Sequence, residues 1–130
     1  MRSPRILLVL PAAVLLLAGC GTPPRYSLEK TRACLAKAGD RIGAPKNDFV
    51  AESATVGAFR AVLPGAQQQA VTLSFGENDA DAKSLADGYV RFHAKNVGIS
   101  DVLYQDKNVV ALWREHPTTA QLNGLTDCLK

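Results

Sequence analysis

Two segments in the middle of the chain alternate apolar and polar residues with a period of two. Their apolar residues are Phe59, Ala61 and Leu63 in the first segment, and Val71, Leu73 and Phe75 in the second. Thr72 and Ser74 fall on the opposite face, which we expect to meet solvent, as in a half-buried antiparallel strand pair. Pro64 and Gly65 lie between the segments and form a turn signal. The pattern predicts a β-hairpin.

A second hairpin is predicted nearer the C-terminus. Residues 102–104 and 109–113 are short apolar runs, and the four residues 105–108 between them are polar. A further short strand around Arg41 and Ile42 remains open, because two or three residues are too few to show a period.

Three other segments repeat their apolar residues at helical spacing. The first begins after the N-cap residue Ser27 and ends at Gly39, and the second runs from Asn78 to about Lys95. The third opens on a capping box at Thr118. The predicted buried stripes are Leu28, Thr31, Leu35 and Ala38 in the first helix, Ala82, Leu85, Tyr89 and Phe92 in the second, and Leu122, Leu125 and Leu129 in the third.

The order α-ββ-α-ββ-α predicts an α+β fold, with an antiparallel sheet of about four strands and three helices packed on one face. The chain has 130 residues, of which 47% are hydrophobic, so it is long enough for one compact domain and too apolar to be disordered. We divide it into a signal segment (1–19), a tether (20–26) and a single domain (27–130).

The first residues have the pattern of a secretory signal. Arg2 and Arg5 precede an apolar run over residues 6–18, which Pro11 interrupts. A stable membrane span needs about 20 apolar residues, so this run is too short for one. An uncleaved signal anchor is therefore disfavoured, and ordinary secretion would leave Cys20 as a spare thiol.

Residues 17–20, Leu-Ala-Gly-Cys, resemble the lipobox of bacterial lipoproteins. In that family the signal is cut just before the cysteine, which receives a diacylglyceryl thioether and often a further acyl chain. The resemblance makes Cys20 the lipidated first residue of the mature protein, held on the extracytoplasmic face of the cell envelope, in the periplasm or at the cell surface. Two or three acyl chains hold a protein firmly on a membrane. Gly21 stands where some Gram-negative relatives carry an inner-membrane retention aspartate, which favours an outer or exposed surface.

The net charge of the precursor is misleading. It is +3, with 15 basic and 12 acidic residues, but removal of Arg2 and Arg5 leaves 13 basic residues and a charge of +1. The remaining basic residues are spread singly, without the runs that track phosphates. The sequence therefore does not support nucleic-acid binding.

Two cysteines remain once Cys20 is assigned to lipid. In an exported chain Cys34 and Cys128 are expected to form a disulfide, because they have neither a CxxC spacing nor the histidines of a zinc site. Two buried free thiols are the alternative.

Candidates for chemistry are few. His93 lies at a basic helix end and His116 precedes a helix start, and neither has a visible acid or nucleophile as a partner. The acidic residues within 77–81 lack the glycine and closing glutamate of a calcium loop, so an acidic first helical turn explains them better. Since no catalytic or phosphate-binding motif is present either, we expect no enzyme, no cofactor and no bound metal.

Two further groups have a structural and a functional interpretation. Tyr89, Tyr104 and Trp113 are expected to pack in the core, with the lining of a ligand pocket as the alternative. Residues 67–69, three glutamines, are expected to form a solvated hairpin tip, with a partner contact as the alternative.

The sequence predicts a membrane-anchored extracytoplasmic lipoprotein that is a non-catalytic binding or envelope-assembly module. Its partners are then the membrane, through lipid on Cys20, and an envelope protein. The alternative is a domain that binds a small ligand or a lipid. The segments around Cys34 and Cys128, with residues 108–110, Trp113 and residues 117–118, also resemble small uncharacterised secreted bacterial domains, which implies no activity.

Overall fold

The computed structural model describes residues 25–65, 68–93 and 98–130. The signal segment, Cys20 and Lys95 lie outside the described residues. The helices are α1 (Leu28–Lys37), α2 (Phe49–Glu52), α3 (Asp79–His93), α4 (Ile99–Val102) and α5 (Thr119–Cys128). The strands are β1 (Arg41–Gly43), β2 (Gly57–Val62), β3 (Ala70–Phe75), β4 (Leu103–Asp106) and β5 (Val109–Trp113). Within the described part, no helix is long and apolar enough to cross a membrane.

All five strands form one antiparallel sheet in the order β1-β2-β3-β5-β4. The predicted α+β class and both predicted hairpins are confirmed. The predicted count of four strands is wrong, because the short segment Arg41–Gly43 pairs with β2 along the edge of the sheet.

The predicted count of three helices is also wrong. The three long helices are present, and the capping box at Thr118 is confirmed. The additional helices, α2 and α4, have four residues each, too few for a helical period to appear in the sequence. The Asp48 carboxylate caps α2 by accepting a hydrogen bond from the Ala51 amide at 2.9 Å.

The helices cover both faces of the sheet. The prediction that they pack on one face is wrong. One face, here the disulfide face, packs under α1 and α5. It carries the predicted odd-numbered residues of β2 and β3, together with Val109, Ala111 and Trp113 of β5. The other, here the α3 face, packs under α2 and α3 through Val50, Ala82, Leu85, Ala86, Tyr89 and Val110. Ser74 was expected to meet solvent, but it is fully buried beneath α3, with its hydroxyl 3.5 Å from that of Tyr89.

A disulfide between Cys34 and Cys128 joins α1 to α5, as predicted. The two Cα atoms are 5.4 Å apart, and 94 positions separate the residues in the sequence. The bond therefore ties the first helix of the domain to its last.

The two ends of the sheet are here called proximal and distal. At the proximal end lie the paired residues Gly57, Phe75 and Val109, next to the point where the described chain begins at Arg25. At the distal end lie the paired residues Val62 and Ala70, with Arg114 beside them through its amide, which donates to the Ala70 carbonyl at 2.8 Å.

A buried asparagine fixes the chain at the proximal end. The side chain of Asn108 accepts a hydrogen bond from the Tyr26 amide at 2.7 Å and donates to the carbonyls of Tyr26 and Gly76, both at 3.0 Å. The Tyr26 hydroxyl donates to Asp106 at 2.6 Å, and this hydrogen bond, with partial burial, raises the pKa of Tyr26 to about 12. Tyr26, which we assigned to the tether, is thus held against the sheet.

Candidate functional site

Of the two histidines, only His116 has a side chain that the structure describes, and its one hydrogen-bond contact is with a backbone carbonyl. His93 is the last described residue of α3, and its side chain lies outside what the structure describes. His116 is exposed, and its Nδ1 lies 3.0 Å from the carbonyl oxygen of Asp101. This contact fits the loop position expected for His116.

The acidic stretch forms the start of α3, as expected. Asn78 Oδ1 accepts a hydrogen bond from the Asp81 amide at 2.9 Å, which caps the helix. Asp81 Oδ2 in turn accepts from the Glu77 amide and from the Thr55 hydroxyl, each at 3.0 Å. Across the described residues, no group of three or more His, Cys, Asp or Glu is placed to hold a metal ion.

The three aromatic residues singled out in the sequence pack in the cores on the two faces of the sheet. Tyr89 is fully buried, and its hydroxyl donates to Asp48 Oδ2 at 2.9 Å. Burial raises the pKa of Tyr89 well above its usual range, and burial also raises the pKa of the half-buried Tyr104. Trp113 is 3% exposed and belongs to the core of the disulfide face. All three therefore have the packing role that we expected.

The expectation of a solvated tip at residues 67–69 is wrong for Gln69. Its side chain is buried, where Nε2 donates to the Glu115 carbonyl at 2.9 Å and Oε1 accepts from the Ala70 and Glu115 amides. These bonds join the β2–β3 connection to the end of β5. Gln68 is exposed, and Gln67 lies outside the described residues.

The α3 face is left uncovered at its distal end, where it forms a cleft of about 300 Å³. We call this the basic cleft. Residues 45–49 form one wall, and the sheet forms its floor through Arg60, Ala70, Thr72, Leu112, Trp113 and Arg114. The lining holds three cations, on Lys46, Arg60 and Arg114, and one carboxylate, on Asp48.

An exposed aromatic pair adjoins the basic cleft. The rings of Phe49 and Phe92 meet edge to face with centroids 4.6 Å apart, although the residues are 56% and 58% exposed. They line a second opening of about 250 Å³ between α2 and α3, with Val50, Leu85 and Gly88. This opening continues along α3 to Thr55 and the carboxylate of Asp81, near the start of the helix. We call this the aromatic cleft, and Phe49 lines both clefts.

The prediction that Phe92 is buried is wrong. The stripe that packs α3 on the sheet consists of Ala82, Leu85, Ala86 and Tyr89. Phe92 contacts α2 instead, and a helix of four residues is too short to cover it.

A third opening, of about 270 Å³, lies on the disulfide face where α1 ends and α5 begins. Its lining is mainly apolar and includes Leu35, Val71 and Trp113, with the carboxyl group of Asp40 at one side. Burial raises the pKa of Asp40 above its usual range.

Sequence reasoning missed the residues of the basic and aromatic clefts. Arg60 and Arg114 share a face only because β2, β3 and β5 pair in their observed register. The one signal in the sequence is that Arg60 and Arg114 have even numbers, whereas the odd-numbered residues of the same segments are apolar. Lys46 and Phe49 lie between β1 and β2, in a segment for which the sequence pattern predicted neither a helix nor a strand.

Comparison of the chain with protein-family models, with curated proteins and with solved structures found no match.

Proposed function

We propose that this protein is a lipid-anchored extracytoplasmic bacterial lipoprotein that works as a non-catalytic binding module. Its binding surface is the basic cleft together with the Phe49–Phe92 pair. The observation that carries the proposal is the position of this surface: it lies at the distal end of the sheet, whereas the lipid attachment site precedes the proximal end.

Two features support the lipid anchor and the exported location. The first is the lipobox sequence ending at Cys20, preceded by a basic and then an apolar segment. The second is the disulfide between Cys34 and Cys128, since such bonds persist in oxidising compartments and are rare in the cytosol of mesophiles.

The length of the tether orients the domain. Four residues separate Cys20 from Arg25, so the connection spans at most about 17 Å. Because Asn108 holds Tyr26 against the sheet, little further length is available. The proximal end then stays close to the membrane, and the distal end is the part of the domain that can lie farthest from it, where a partner can approach.

The surface supports binding through side chains rather than through strand addition. The edge strands β1 and β4 have three and four residues, and short edges resist pairing with another chain. Phe49 and Phe92, in contrast, leave more than half of their surface in solvent, and exposed apolar groups rimmed by polar residues mark interaction sites.

The anchor is tested by the substitution Cys20→Ala, with Gly21→Ala as the matched control. In cells fed a labelled fatty acid, we expect the parent and the Gly21→Ala protein to incorporate label and to sediment with membranes. Cys20→Ala is expected to lose both properties, because no thiol remains to carry the acyl groups. Unchanged label and unchanged membrane association in Cys20→Ala would refute the anchor.

A small-ligand or lipid-binding role is the second candidate. The apolar opening between α1 and α5 favours it, since ligand pockets are mostly apolar with a few polar groups, here Asp40. A small molecule that copurifies with the protein and is displaced by Leu35→Trp would support this function over the first.

A further inference from the structure

We propose that the basic cleft and the aromatic cleft together bind an acidic segment of a partner polypeptide, with an apolar side chain of that segment against Phe49 and Phe92. This assignment rests on the proposed function, because it names the class of partner for the same surface.

The strand register places cations on both sides of one polar residue. Arg60 of β2 is opposite Thr72 of β3, and Thr72 is opposite Leu112 of β5, so these three side chains share the α3 face. Arg114 follows Leu112 by two positions and returns to the same face. Neighbouring strands are about 5 Å apart, so Arg60 and Arg114 flank β3 at a distance that a short peptide bridges.

The cations of the cleft have no anionic partner in the protein. All 12 acidic residues of the chain lie in the described part, and there the single ion pair joins Lys83 to Asp87. Arg114 donates one hydrogen bond, at 3.5 Å, to the carbonyl of Gln68. Asp48 contributes the one carboxylate of the lining, and its two oxygens accept from Ala51 and Tyr89. The unneutralised charge therefore favours an anionic ligand.

Size and position favour a polypeptide over other anions. The cations come from β2, from the residue after β5 and from the segment before α2, so three separate parts of the chain contribute positive charge to the cleft. Phe49 joins the basic cleft of about 300 Å³ to the aromatic cleft of about 250 Å³, and a peptide with acidic and apolar side chains fills both. The anchoring membrane is disfavoured as occupant, because the basic cleft, which carries the cations, lies at the distal end of the domain.

The proposal is tested by selection from a random peptide library. The full-length protein, as its cell processes it, is immobilised through a C-terminal tag, which lies at the proximal end because the Ser27 amide donates to the Lys130 carbonyl. We expect the enriched peptides to be rich in Asp and Glu and to carry Phe, Leu or Trp beside them. Failure to enrich any peptide, or enrichment of peptides without net negative charge, would overturn the proposal.

A charge-matched pair of variants locates the binding. The triple variant K46Q, R60Q and R114Q removes the cations of the cleft, and the control K30Q, R32Q and K37Q removes three exposed cations from α1 on the opposite face. We expect the first to weaken the best peptide about tenfold, since each exposed charge pair changes an equilibrium constant about two- to fivefold. The control is expected to change it less than about twofold. Equal weakening by both variants would contradict the assignment.

The two proposals fail in different ways. If Cys20 carries lipid but the selection yields no acidic peptide, the partner class is wrong and the anchored module remains. If acidic peptides bind but Cys20 carries no lipid, the cleft is correctly assigned and the anchor is wrong.

Discussion

At the residue scale, the Asn108 side chain makes three hydrogen bonds that tie the first described residues to the sheet. Asn108 is 1% exposed, it stands in the turn between β4 and β5, and its side chain bonds to residues 26 and 76. No other residue type offers an amide donor and a carbonyl acceptor on so short a side chain. Asn108 therefore fixes where the folded domain begins, and hence how short the tether is.

We expect Asn108→Ala to lower the free energy of unfolding by about 2–4 kcal/mol, because it leaves the buried carbonyl of Gly76 and the partly buried backbone groups of Tyr26 without partners. Urea unfolding, followed by the fluorescence of Trp113, the one tryptophan of the chain, measures the change. Asn123→Ala, at an exposed site on α5, is the control and is expected to change stability by less than about 0.5 kcal/mol. Similar losses in both variants would show that Asn108 has no special role.

At the element scale, the disulfide is the main covalent constraint on the packing of helices. It joins α1 to α5 across the same face of the sheet, where Leu35 and Leu125 pack in one core. The loop that it closes includes the whole sheet, so the bond restricts the unfolded chain strongly.

We expect the double variant Cys34→Ala, Cys128→Ala to lose about 4–5 kcal/mol of stability, the chain-entropy value for a loop of this length. Such a loss is a large part of the total for a small domain, which is about 5–15 kcal/mol. Urea unfolding of the variant, and of the parent with and without reductant, gives the comparison. A loss below about 1 kcal/mol in both experiments would mean that packing alone holds α1 and α5.

Elements of regular length could be predicted from the sequence. The alternation in β2 and β3 and the caps at Ser27 and Thr118 each mark their element locally, and the observed elements agree. Short elements could not, because neither the three residues of β1 nor the four of α2 complete a recognisable period.

The candidate surface could not be predicted, because it depends on which part of the α3 face of the sheet the helices cover. Ser74 and Thr72 are equivalent in the pattern of β3, yet Ser74 is buried under α3, whereas Thr72 lines the basic cleft. Phe92 has the spacing of a core residue and is exposed because α2 is short. Local periodicity carries no information on how far a helix extends over a sheet.

At the scale of the whole molecule, the domain has two different ends. The proximal end holds the first described residues, the Asn108 bonds and the C-terminus, and the distal end holds the basic cleft. The aromatic cleft adjoins the basic cleft at Phe49 and runs along α3 toward Asp81. If Cys20 carries lipid, this polarity places the basic cleft on the side away from the membrane. The net charge of the mature chain, near +1, then says less about binding than the local charge does. Among the described residues, three cations without an ion-pair partner line one cleft.

The most direct test is site-specific photocrosslinking in intact cells. A photoreactive phenylalanine replaces Phe49 or Phe92 on the candidate surface, or Arg32 on α1 as the control for an exposed site elsewhere. We predict a discrete crosslinked protein at positions 49 and 92, its loss when Lys46, Arg60 and Arg114 are also changed to Gln, and none at position 32. Absence of a crosslink at positions 49 and 92, or the same product at position 32, would contradict a distal binding surface.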